Sequence, residues 1–357
     1  MDLVFKRYVP GDPRSFLIKY LDTVLGHSVN EVVWTWEFER LPDQTVFTYL
    51  LDGSKIVATQ SMLPINLRLN NKSSQTAKSE SSFLDSEYRG KGLFEKLYNF
   101  AIDQAKMSGA NMIWGFTPAE KVWRKNLKFE TFDCMITSSL RLSGGSFRDI
   151  RHKSSSSLKA LLKYLLLKSK SFRTRYKILI QANGRENFTT TSELDWKKIK
   201  FMYDSIIAKH PEIICLQLDP EYLSWRIVNN PNLKYDYLGI CSDDNTLIGH
   251  CIYSKRDGVV SISELTCVEK KDILPVLLLL VRQFMISGIN EIIYWGNSGN
   301  NLNAAIFEVF KALGATERGD INMKFVLKNL NSSYENKSIL DVNNWYLNGL
   351  WTEGFFI

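Results

Sequence analysis

One structural pattern occurs twice along the chain, and this repeat restricts the possible folds more than any other feature. Trp36 precedes Pro42 by six residues, followed by a strand-like run over 46–51, a turn at Asp52-Gly53 and another run from Ile56. Trp225 precedes Pro231 by the same six, followed by a run over 235–240, a turn at Asp243-Asp244-Asn245 and a run from Leu247. A second parallel is closer. Met107-Ser108-Gly109-Ala110-Asn111 leads into Met112-Ile113-Trp114-Gly115, and Ile286-Ser287-Gly288-Ile289-Asn290 leads into Ile292-Ile293-Tyr294-Trp295-Gly296. Each glycine ends a helix and opens a buried strand. Two such units need two cores, which 357 residues can supply.

The hydrophobic periodicity predicts a first strand over 3–8, helices over 13–25 and 30–40, and a meander of strands at 46–51, 55–62, 64–70 and 75–85. A helix over 93–107, a strand over 111–117, a helix around 119–126 and strands near 128–142 follow. We expect one unit over 1–143, a basic helical connection over 144–193, a second unit over 194–330 and an aromatic tail over 331–357. The antiparallel start implies an α+β class with mixed, mostly antiparallel sheets flanked by helices, not a doubly wound sheet.

Bulk properties narrow the chemistry. No apolar stretch of signal-peptide type follows Met1, and the longest apolar run, 273–281, is too short to span a bilayer, so we expect a cytoplasmic protein. Five cysteines without a C-x-x-C pattern and four scattered histidines suggest neither a disulfide framework nor a metal site. The net charge of +7 suits anionic ligands without identifying one. Ten Lys or Arg residues fall between Arg148 and Lys177, against the single acid Asp149. That run fits a solvated face on a connecting helix, or a weak contact with a membrane surface over 148–177, and we do not expect a nucleic-acid partner.

Tyr88-Arg89-Gly90-Lys91-Gly92-Leu93-Phe94 lies between the strand ending near Leu84 and the helix from Leu93. Glycines permit close backbone approach, and the first N–H groups of a helix have no partners of their own, so the loop suits phosphate oxygens. Alone it could also be a plain turn. It lacks the third glycine of a dinucleotide fingerprint and the G-K-[ST] of a Walker loop.

With its flanking strands, this segment resembles motif A of the GCN5-related N-acetyltransferase (GNAT) superfamily, [RQ]-x-x-G-x-[GA]. Arg89 and Gly92 match, Phe94 stands where the last Gly or Ala is expected, and the likeness runs on through Trp123 to Phe129. The resemblance implies that Arg89, Gly90, Lys91, Gly92, Leu93 and Phe94 hold the pyrophosphate of coenzyme A. It also implies that the backbone of Phe83, Leu84 and Asp85 faces the pantetheine and thioester, and that the cofactor-like co-substrate is an acyl-CoA. In the second unit, Val268-Glu269-Lys270-Lys271-Asp272 replaces the loop. Its acids would repel a pyrophosphate, so this tandem, GNAT-like repeat is degenerate and supplies a surface instead.

Several members of that superfamily use a carboxylate on the motif-A strand as general base, which makes Glu80 the candidate. Alternation places Glu80, Ser82 and Leu84 on one face, with Ser79, Ser81 and Phe83 on the other. A structural Glu80 paired with a Lys or Arg is the competing reading. Where many members carry an acidic tyrosine, this chain reads Val122-Trp123-Arg124-Lys125. The whole chain resembles bacterial N-acyltransferases that modify dTDP-linked amino-deoxyhexoses for surface polysaccharides such as O-antigen, with acetyl-CoA or 3-hydroxybutanoyl-CoA as donors. For a nucleotide-sugar partner, Trp114, Trp295 and Asn297 are candidate binding residues, although aromatic side chains also fill cores. A small-amine or protein acetyltransferase, a tRNA-dependent enzyme and a non-catalytic coenzyme A-binding or membrane-surface scaffold remain alternatives.

Overall fold

A computed structural model describes residues 2–25, 28–40, 45–143, 188–319, 323–331 and 336–352, with a few helical positions between 159 and 173. The basic run over 148–177 therefore falls almost wholly outside the described residues, as do Pro42, Phe355 and Phe356. No described helix is long and apolar enough to cross a membrane. The architecture is α+β, with two sheets and flanking helices.

The chain forms two compact units, each discontinuous in sequence. The first comprises Met1–Asp133, Pro211–Asn232 and Ile321–Asn344, and the second Cys134–His210, Leu233–Asp320 and Trp345–Ile357. Strands are numbered in chain order. In the first unit these are β1 (Leu3–Arg7), β2 (Val46–Asp52), β3 (Lys55–Leu69), β4 (Lys72–Leu84), β5 (Met112–Thr117), β6 (Glu130–Phe132), β9 (Cys215–Leu216) and β15 (Lys324–Asn329). They run in the order β1-β2-β3-β4-β5-β15-β6, with β9 beside β3. The second unit holds β7 (Met135–Arg141), β8 (Thr189–Thr191), β10 (Tyr235–Cys241), β11 (Leu247–Arg256), β12 (Val259–Cys267), β13 (Glu291–Asn297) and β14 (Thr316–Gly319). Its order is β14-β7-β13-β12-β11-β10-β8. In each sheet one pair is parallel, β4 with β5 and β12 with β13.

The repeat carries an exchange that a reading in contiguous blocks does not contain. β15 lies between β5 and β6, with Lys324 opposite Thr117 and Phe325 opposite Phe132. Correspondingly, β7 lies between β13 and β14, with Leu140 opposite Ile292. The sheet of the first unit thus takes a strand from the late part of the chain, and that of the second takes one from the early part. The tryptophan repeat also converges within the first unit. Trp36 donates its indole N–H to the Trp225 carbonyl at 2.8 Å, and Trp225 donates to the Trp36 carbonyl at 2.7 Å. The two rings stack with centroids 5.4 Å apart.

Local sequence accounts for most element ends. Asn30 caps α2 (Glu31–Trp34) by accepting from the N–H groups of Val32 and Val33. The apolar stripe Leu97, Tyr98, Ala101, Ile102 and Ala105 buries one face of α3 (Leu93–Met107). That helix and its counterpart over Lys270–Ile286 end alike, at Gly109 and Gly288 with φ of 94° and 75°. One expected break is missing: β3 continues through Pro64 instead of dividing near Leu63. Pro64 lies beyond the last β2 partner, Met62, and before the β9 partners, Leu67 and Arg68, so its missing N–H disrupts no ladder.

Candidate functional site

The first unit contains a cleft of about 730 Å³ between the diverging ends of β4 and β5. The parallel ladder consists of Ala77 opposite Ile113 and Lys78 opposite Trp114; beyond it the two strands part. A bulge in β4 turns its outer half. Thr59 pairs with Phe83 and Ser61 with Glu80, which leaves two residues, Ser81 and Ser82, opposite the single residue Gln60. Ser81 takes a positive φ of 49°.

This bulge corrects the expected alternation. Phe83 meets Tyr20 of the first helix edge to face, with centroids 6.1 Å apart, while Leu84 packs with Leu93 and Leu97 of α3. The extra residue shifts the side-chain phase, so Glu80 and Leu84 no longer share a face as period-2 counting requires.

At the mouth of the cleft the glycine loop enters α3. Gly90 and Gly92 have φ of 75° and 69°, a region that side chains with a Cβ seldom adopt. Gly92 caps the helix without a side chain, so the first helical N–H groups lie beside Gly90, Gly92 and Leu93 on the cleft lining. Phe94 is already helical and needs no glycine-like backbone; its ring packs 5.7 Å from that of Tyr98. Arg89 lines the cleft and donates from Nε to the Leu84 carbonyl at 3.2 Å.

The side chains of two residues expected at the donor site are engaged elsewhere. Asp85 accepts from the Tyr20 hydroxyl at 2.8 Å and pairs with Lys55 Nζ at 3.0 Å. Lys91 places its ammonium 5.3 Å from the Tyr88 ring centre. Neither belongs to the cleft lining, whereas Phe83, Leu84, Arg89, Gly90, Gly92, Leu93 and Phe94 do.

Glu80 lines the cleft and pairs with Lys78, whose side chain is only 4% exposed. The pairing expected of a structural glutamate is therefore present alongside access to the cleft. Among the described lining residues, the ionisable side chains are Glu80, Arg89 and Glu95, and Glu95 accepts a hydrogen bond from Asn126. The wall formed by Phe116, Thr117, Val122 and Trp123 carries no ionisable group. The sequence does not mark this wall, which comprises the end of β5 and the turn after it.

The candidate acceptor residues fall in different units. Trp114 is fully buried and donates from its indole to Thr76 Oγ1 at 2.9 Å, so it offers no stacking face. Asn297 is fully buried in the second unit, where it donates to the Trp345 carbonyl at 2.9 Å. Trp295 is half-buried on β13 of that unit. Central strands of sheets covered on both faces bury both side-chain phases, which removes Trp114 from solvent.

In the second unit, the corresponding wedge is filled by the chain itself. β12 and β13 pair from Val259 with Glu291 to Ile262 with Tyr294. Beyond that point the segment 345–352 enters. Gly296 bridges to Asn348, Asn297 N–H donates to the Leu347 carbonyl, and the Tyr346 hydroxyl donates to the Leu265 carbonyl at 2.7 Å. A Cβ on Gly349 would stand 2.8 Å from Ser263 Cα, so glycine permits this close approach. Below the plug, Glu264 and His250 face one another at 3.5 Å, both buried. Burial pushes the Glu264 carboxyl up to about 8 and the His250 imidazole down to about 3. Among the described residues, no cluster of His, Cys, Asp and Glu could hold a metal ion.

Residues 14–129 match the Acetyltransferase (GNAT) family. No curated protein matches the chain. A solved probable N-acyltransferase of unknown function from Enterococcus faecalis V583 has a TM-score of 0.64 and 11% identity, covering 92% of this chain and 73% of its own. A tandem GNAT protein from the clavulanic acid biosynthesis pathway gives a TM-score of 0.55 at 11% identity, covering 92% and 98%. Saccharomyces cerevisiae N-myristoyltransferase with bound myristoyl-CoA gives 0.54 at 8%, covering 91% and 82%. At such identities the structural likenesses establish the fold. The family match falls within the first unit.

Proposed function

We propose that the chain is a CoA-dependent N-acyltransferase that uses the first-unit cleft for its donor. In this reading the acyl-CoA pyrophosphate lies against Arg89, Gly90, Gly92 and the first turn of α3, where free N–H groups and the helix dipole favour anions. The pantetheine follows the β4 wall at 81–84. One observation carries the assignment: an open wedge between parallel strands meets a positive-φ glycine pair and a helix N-terminus that no side chain caps in the same cleft.

Acyl transfer needs a neutral amine, polarisation of the thioester carbonyl and departure of a thiolate. Glu80 is the side chain we assign to receive the amine's proton, directly or through water. Its carboxylate is already engaged by the buried ammonium of Lys78. Orientation of the reactants therefore carries much of the rate. Neither Arg89 nor the hydrogen-bonded Glu95 suits protonation of the thiolate, and a thiol of pKa about 8.5 can leave without a general acid.

For the acceptor we propose the amine of a dTDP-linked amino-deoxyhexose such as a 3-amino-3,6-dideoxy sugar, with an acetyl or 3-hydroxybutanoyl donor and a cytoplasmic setting. This rests on the whole-chain resemblance drawn from the sequence. Burial of Trp114 and Asn297 removes two of its expected contacts and favours, as a second reading, acetylation of a smaller amine or a protein. Incubating labelled acetyl-CoA and 3-hydroxybutanoyl-CoA with dTDP-amino sugars, polyamines and peptides separates the two. Labelled dTDP-sugar supports the first reading, and labelled polyamine or peptide alone rejects it.

A further inference from the structure

Gln60 is fully buried in β3, yet its side-chain amide is engaged from both ends. Nε2 donates to the Ser61 carbonyl at 2.7 Å, to Ser79 Oγ at 3.0 Å and to the Glu80 carbonyl at 3.2 Å. Oε1 accepts from Ser82 Oγ at 2.5 Å. The amide thus grips β4 on both sides of Ser81. Its neighbour Thr59 adds a hydroxyl bond to the Ser81 carbonyl at 3.0 Å.

A bulge sacrifices ladder hydrogen bonds, and buried carbonyls left unpaired are costly. Here side chains of β3 take over that role. They also fix which way the peptide groups of 81–83 point, in the part of β4 that has left its parallel ladder with β5 and lines the cleft. In the second unit, the matching bulge falls between Ile252 and Tyr253, neither of which carries an amide. Its wedge holds no open cleft wall to orient, because 345–352 fills it.

We infer that Gln60, assisted by Thr59, is a positioning residue that aims the backbone of 81–83 at the donor's thioester. This rests on the donor reading proposed above. Gln60 touches no substrate; it acts through the peptide groups that it holds. Replacing it with methionine preserves length and apolar bulk but removes every hydrogen bond. The pyrophosphate loop remains intact, so donor affinity should change by less than about threefold while alignment of the thioester is lost.

Infrared difference spectra of carbonyl-¹³C acetyl-CoA read that alignment directly. Wild-type protein should lower the bound thioester carbonyl frequency relative to water, and Gln60→Met should abolish most of the shift at a similar dissociation constant. A Gln60→Met protein that binds acetyl-CoA and keeps the wild-type shift overturns the inference, as does an unshifted carbonyl in the wild type. If Gln60→Met does not fold, Thr59→Val and Ser82→Ala provide the same readout. A diminished shift in either then supports the inference, and full wild-type shifts in both overturn it. Failure of the wild type to bind acetyl-CoA at all, measured by calorimetry, strikes the donor reading itself and this inference with it.

Discussion

Both units part a pair of parallel strands beside a bulge, but they fill the resulting wedge differently. In the first, β4 and β5 enclose an open cleft whose mouth is a glycine loop and a bare helix N-terminus. In the second, β12 and β13 close around Trp345–Trp351, and their following helix begins after Glu269 with no glycine. The divergent strands are a property of the shared fold. Ligand capacity depends on the loop chemistry and on whether the chain's own residues already occupy the gap.

The strongest way to break this comparison is to remove the plug. Ending the chain at Asn344 deletes Trp345, Tyr346, Leu347, Leu350 and Trp351, all within 1% of full burial. Loss of one large core side chain costs about 3–5 kcal/mol, so losing five exceeds the ordinary stability of a domain. We expect the second unit's melting transition to disappear in calorimetry. A truncated protein with an unchanged thermogram would show that the wedge supports itself.

Next in size is the loop. Gly92→Val forces a β-branched residue to φ near 69° at the helix mouth. We expect the acyl-CoA dissociation constant to rise by about ten- to a hundredfold, from 1–3 kcal/mol of strain and lost contact. Glu269→Ala, at the equivalent helix entry, should leave it unchanged. Equal effects of the two substitutions would sink the assignment of the donor to one unit.

The second unit should also carry its own pH signature. Glu264 is protonated in the folded state up to about 8, against an ordinary value of 4.5, so its stabilising share is lost as pH rises toward 8. His250, held neutral down to about 3 against 6.5, loses its share as pH falls below 6.5. The two slopes cancel between 4.5 and 6.5. From 6.5 to 8 we expect roughly 2 kcal/mol of lost stability, at 1.36 kcal/mol per pH unit. Glu264→Gln should flatten that limb in denaturant titrations. Persistence of the slope would assign it to other groups.

The smallest expected effect concerns Glu80. With orientation of the reactants carrying much of the rate, Glu80→Gln should lower turnover by about tenfold, below the usual range for a general base, with acyl-CoA affinity unchanged. A normal rate across pH would leave catalysis to orientation alone.

Much of this was legible in the sequence because its signals are local. Gly109 and Gly288 announce matching helix ends, and the two glycines before Leu93 announce the loop. The bulge was not legible. Ser81 has no residue-type mark of positive φ, and one extra residue inverts the face of everything after it. The burial of Trp114 and Asn297 was not legible, because strand membership does not reveal whether a face is covered. Of the plug only an aromatic tail was legible, since its place depends on carbonyls of Leu347 and Trp345 meeting a strand fifty residues earlier.

The exchanged strands bear on how the protein comes into being on the ribosome. When the chain has emerged as far as Asp133, β5 and β6 lack the strand that separates them, and β5 presents a bare, apolar edge. That edge stays open until about two hundred more residues have been translated. At 5–20 residues per second this means roughly ten to forty seconds of exposure. Half of the chain therefore does not encode half of the fold, and the first sheet is complete only once β15 arrives.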